Sequence, residues 1–126
     1  MILIIGGAYQ GKRAFAQRAF GINEEDYILP ETLGQGDLAD KPAVRDLEKY
    51  ILSRVQEGTL PSENPEELFD VLKDKVVIAC DISQGLVPMD AVERLWREEN
   101  GRCLTYLASR ADRVYRVFCG IESRLK

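Results

Sequence analysis

The sequence predicts an α/β fold, a mostly parallel sheet of about four to five strands with helices on both faces. Three observations carry that expectation. Short β-branched runs alternate with stretches of helical apolar spacing, the order that builds parallel sheets. The first run, Ile2 to Ile5, is apolar throughout, as a strand covered on both faces must be. That run leads straight into a glycine-rich turn that opens a helix. With 126 residues the chain has room for one core, so a single domain over 1–126 is expected.

Each element follows from its own residues. From Gly11 to Phe20 the spacing sets Phe15, Ala16, Ala19 and Phe20 on one stripe, and Gly21 is a natural helix C-cap. Tyr27-Ile28-Leu29 reads as a short second strand cut off by Pro30. Glu31 to Lys41 is polar and glycine-rich, a loop at the C-terminal sheet edge where open α/β sheets bind ligands. Within it Glu31, Thr32 and Asp37 are first of all solvated turn residues. A helix is predicted from Asp40 and Pro42, with Val44, Leu47, Ile51 and Val55 at helical spacing before Gly58. Asn64-Pro65-Glu66-Glu67 starts another, burying Leu68, Phe69 and Leu72. Lys75 to Cys80 is a third strand. Pro88 opens the longest helix, where Met89, Val92, Leu95, Trp96, Cys103, Leu104 and Leu107 recur every three or four residues. Asn100-Gly101 predicts a kink in it, and Arg113 to Phe118 is the last strand.

The chemistry concentrates in the first turn. Gly6 to Arg13 fits the phosphate-cradling pattern G-x-x-x-x-G-K-[ST] at Gly6, Gly11 and Lys12, then departs from it where Arg13 replaces the hydroxyl residue. Such a loop turns backbone N–H groups inward, a lysine meets the terminal phosphates, and the helix points its positive end at them. The fold expected is therefore P-loop NTPase-like, with Gly6, Gly7, Ala8, Tyr9, Gln10, Gly11, Lys12 and Arg13 as the ATP- or GTP-binding residues. Mg²⁺ would lack its usual loop ligand, because a guanidinium cannot coordinate a cation. Asp81 follows the Val76–Cys80 run, where P-loop enzymes present a carboxylate to metal or attacking hydroxyl, and it equally suits a turn. Lys12 and Asp81 are the candidate catalytic residues; no metal ligand is assigned.

Composition excludes several classes. There is no histidine, so no imidazole nucleophile or histidine metal ligand exists. A net charge of -4 argues against a nucleic-acid surface, and no apolar run is long enough for a membrane span. Cys80, Cys103 and Cys119 sit in apolar segments and read as buried thiols of a reducing, cytoplasmic setting. Arg94, Arg97, Glu98, Glu99 and Arg102 read as the wet face of a helix, while Trp96, Phe15 and Phe20 read as core.

The ends of the chain resemble the bifunctional adenosylcobinamide kinase and adenosylcobinamide-phosphate guanylyltransferase family of cobalamin biosynthesis. The first stretch is Met1 to Ala8 with Gly11-Lys12. The second runs from Val76 to the C-terminus: an acidic residue, Gly85-Leu86-Val87-Pro88, a helix with Trp96, Arg97 and Gly101, then Ala111-Asp112, Gly120 and Arg124-Leu125-Lys126. Asp81 stands where the family has a glutamate, with Cys80 and Ser83 replacing flanking motif residues. The resemblance implies a nucleoside triphosphate and a corrinoid, adenosylcobinamide, as partners, and a homo-oligomer. It also implies a histidine that receives GMP; this chain has none, which leaves the kinase half. The alternative is a non-catalytic nucleotide-binding or regulatory partner in the corrinoid pathway.

Overall fold

A computed structural model describes residues 1–34, 40–82 and 90–126. Six strands form one sheet: β1 (Ile2–Gly6), β2 (Tyr27–Ile28), β3 (Ala43–Val44), β4 (Val76–Cys80), β5 (Arg113–Phe118) and β6 (Ile121–Arg124). Their order is β2-β3-β4-β1-β5-β6, parallel throughout except for the antiparallel β5–β6 hairpin. Among the described residues four α-helices cover it, α1 (Lys12–Phe20), α2 (Leu47–Gln56), α3 (Pro65–Leu72) and α4 (Ala91–Arg110). Among the described residues no helix is long and apolar enough to cross a membrane.

Strand alternation divides the core in two. Leu3, Val77 and Val114 point to the face packed by Leu47, Ile51, Leu72, Cys103 and Leu107, so α2, α3 and α4 share that side. Ile4, Ile78 and Val117 point to the other face, where α1 lays Phe15 and Ala16. Phe15, Phe20 and Tyr115 close that layer with tilted and edge-on ring contacts at 5.1–5.9 Å.

Several expectations are corrected. The helix predicted from Asp40 begins instead at Leu47, because Ala43 and Val44 pair with both β2 and β4 and Asp46 breaks the chain with a φ of 55°. Ala19 is exposed rather than part of the buried stripe. Glu99 leaves the wet face: it is fully buried and accepts from the Ser62 N–H at 3.0 Å and the Ser62 hydroxyl at 2.8 Å, tying the turn Pro61–Glu63 to α4. As its continuing period predicts, α4 is a single helix across Asn100-Gly101, running to Arg110 from an Asp90 cap whose carboxylate accepts two backbone N–H bonds. Of the cysteines only Cys103 is buried; Cys80 is half-buried, and Cys119 is exposed in the β5–β6 turn. Asp37 and the Gly85-Leu86-Val87-Pro88 stretch lie outside the described residues.

Candidate functional site

The glycine-rich loop joins the end of β1 to α1 at the C-terminal edge of the sheet, and two of its glycines are sterically required. A Cβ on Gly6 would stand 2.5 Å from the Val117 carbonyl oxygen of the neighbouring strand. Gly11 caps α1 at φ 93° and lies against Gly120, so a side chain there meets both strain and backbone. Tyr9 also takes a positive φ, and its ring stands in solvent. No side chain caps α1, which leaves the first-turn N–H groups without an intrahelical partner.

Gln10 fastens the loop to the β5–β6 turn. Its side-chain oxygen accepts from the Cys119 N–H at 2.6 Å, and its carbonyl accepts from the Gly120 N–H at 2.8 Å. Lys12 folds back over the loop and donates to the carbonyls of Gly6 at 3.2 Å and Gly7 at 2.6 Å. An ammonium held by carbonyl oxygens rather than a carboxylate can exchange those contacts for an anion.

Beside the loop lies a pocket of about 160 Å³. Gly6, Gly7, Gln10 and Asp81 line it, so the structure brings four of the sequence-predicted site residues together. The backbone N–H of Asp81 donates to the Gly6 carbonyl at 2.9 Å, which holds the ends of β4 and β1 side by side. Arg13 goes elsewhere. Its guanidinium donates to Glu24 at 2.9 Å, and Arg45 joins the same carboxylate at 3.3 Å.

Four further pocket residues, Ile5, Arg116, Val117 and Phe118, and a pair of buried polar groups behind the pocket escaped the sequence reading. Glu48 is 5% exposed and accepts from the Cys80 N–H at 2.8 Å; Asn100 is 2% exposed and donates to the Cys80 carbonyl at 3.2 Å. β3 pairs with β4 only as far as Val77, so these two side chains take the place of a strand along the last residue of β4. Asp81 is the next residue, and they steady its position. Trp96 closes the arrangement by donating its indole N–H to the Glu48 carbonyl at 2.7 Å. Burial pushes the Glu48 carboxyl above the usual carboxylate range, with the Cys80 N–H and the Lys12 charge pulling the other way. Burial likewise raises the Cys80 thiol, again with Lys12 opposing. The signal was in the spacing: Glu48 shares a stripe with Ile51 and Val55, and Asn100 with Cys103 and Leu107.

Residues 49–125, more than half of the chain, match the family described as Cobinamide kinase / cobinamide phosphate guanyltransferase. The chain belongs to that family. Its place is therefore in cobalamin biosynthesis, among proteins that bind ATP or GTP. The match takes in Asp81, Asn100 and Arg116 and begins one residue after Glu48, while the Gly6–Arg13 loop stands outside it. No curated protein matches the chain.

Proposed function

We propose that this member of the cobinamide kinase family binds ATP or GTP with the phosphates on the Gly6–Arg13 loop, and transfers the terminal phosphoryl group to a corrinoid side-chain hydroxyl. The observation that carries the reading is the meeting of Gly6, Gly7 and Asp81 in one pocket at the C-terminal edge of β1 and β4, beside Lys12 and the uncapped start of α1. Lys12 would release the Gly6 and Gly7 carbonyls to pair with the terminal phosphates, and the α1 N-terminus would add its partial positive charge. The acceptor oxygen attacks the terminal phosphorus, the bond to the bridging oxygen breaks, the nucleoside diphosphate leaves and the hydroxyl proton is released. Mg²⁺, when bound, supplies charge neutralisation between the terminal phosphates. Asp81 is the carboxylate that would hold the metal, or orient the hydroxyl, since position 13 offers no oxygen. Guanylyl transfer through histidine has no residue to carry it.

One observation favours a second reading, a nucleotide-binding partner without turnover. Arg13 replaces the hydroxyl ligand and is engaged with Glu24. Incubation of the protein with ATP or GTP, Mg²⁺ and adenosylcobinamide tests the two. The kinase reading expects a phosphorylated corrinoid and its loss in Asp81→Asn; tight nucleotide binding with no product leaves the second reading standing.

A further inference from the structure

On the nucleotide reading, Lys12 is the loop cation that faces the phosphates, and Arg13 is turned to Glu24. Arg13, the extra cation in the loop, sits on α1, and α1 packs on the sheet face of Ile4, Ile78 and Val117. The pocket takes Val117 from that face and further wall residues from the other. Ile5, paired with Arg116 across β1 and β5, alternates away from Ile4, and Arg116 alternates away from Val117. Arg116 thus lines the pocket together with Gly6, Gly7 and Asp81, while Arg13 is held to Glu24 at 2.9 Å. The Arg116 side chain makes no hydrogen bond or ion pair among the described residues, so its guanidinium fork is available to a ligand. Phe118, two residues on and 63% exposed, extends the same wall with an apolar surface.

A pocket of about 160 Å³ has room for a phosphate group beside the fork. We propose that Arg116 is a second phosphate-binding cation of this protein, contacting the terminal phosphoryl group of a nucleoside triphosphate from the β5 side while Lys12 approaches from the loop. This rests on the nucleotide reading above. A guanidinium suits the role because it makes two parallel bonds to phosphate oxygens and stays charged at any physiological pH.

Calorimetric titration of wild type, Arg116→Gln and Arg116→Lys with AMP, ADP and ATP, each repeated with the guanine nucleotides, tests it. Arg116→Gln should weaken the preferred triphosphate by more than about tenfold and the diphosphate by less than about threefold, with Arg116→Lys in between. Equal triphosphate binding by wild type and Arg116→Gln overturns the proposal and leaves the nucleotide reading intact. An equal loss for mono-, di- and triphosphate also overturns it, since the arginine would then act away from the terminal group. If wild type binds no nucleotide, both fall together. Should Arg116→Gln fail to fold, Arg116→Lys alone decides by the same criterion, a loss confined to the triphosphate.

Discussion

Glu48 carries a strand end on a single carboxylate oxygen, and its two obvious variants should separate the parts of that role. Glu48→Ala leaves the Cys80 N–H unpartnered in a buried setting and should cost on the order of 1–3 kcal/mol in a denaturant melt. Glu48→Gln keeps an acceptor and removes the charge. Because the folded-state pKa of Glu48 is raised, burial favours its neutral form. That contribution is fully present below the unfolded value near 4.5 and is lost as pH rises through the folded value. The stability of Glu48→Gln relative to wild type should therefore increase across that interval, and a flat difference would mean the carboxyl is not desolvated. Tyr27 offers a simpler test. Its hydroxyl is buried with no hydrogen-bond partner among the described residues, and burial pushes its pKa up to about 12, so Tyr27→Phe should be neutral or stabilising by up to about 1 kcal/mol. Neither residue stands out in the sequence, because the environment that gives each its character is made by distant segments: β4 and α4 around Glu48, and α1, β1, β3 and β4 around Tyr27.

At the scale of elements, the apolar runs and the short strand β2 were legible, while β3 and β6 were not. β1 and β4 announce themselves because several successive residues must suit a covered sheet, while β5 mixes exposed Arg113, Arg116 and Phe118 with buried Val114 and Val117. β3 has two residues, both buried, and its identity comes from partners on each side, so Pro42 and Val44 could pass for a first helical turn. β6 is exposed at all four positions and shows no apolar period to read. The phosphate loop was visible as a pattern, yet its attachment to the β5–β6 turn was not, since Gln10 and Cys119 are 109 positions apart. That attachment predicts an effect. Gln10→Ala removes the side-chain acceptor of the Cys119 N–H, so amide exchange at Cys119 should accelerate by about tenfold or more while exchange in β1 and β4 is unchanged. Unchanged exchange at Cys119 would mean the hairpin holds its shape without the loop.

For the whole molecule, the sheet order brings β1 between β4 and β5, and that single arrangement sets the glycine loop, Asp81 and Arg116 around one pocket. The loop and Asp81 are legible in the sequence because each follows an apolar strand; Arg116 is not, because its relevance depends on β5 lying beside β1. Incubation with labelled GTP should leave no acid-labile GMP on a chain without histidine, and a stable guanylylated species would contradict that. Arg13→Thr should restore a hydroxyl at the loop and make nucleotide affinity rise with added Mg²⁺ more steeply than in wild type. Equal Mg²⁺ dependence in the two forms would mean another residue holds the metal. The most direct test of the account is calorimetric titration of wild type and Lys12→Ala with ATP and GTP. If phosphates sit on the Gly6–Arg13 loop, the alanine variant should bind the preferred triphosphate more weakly by more than about tenfold, roughly 1.4 kcal/mol; equal binding by the two proteins would show that the loop is only a turn.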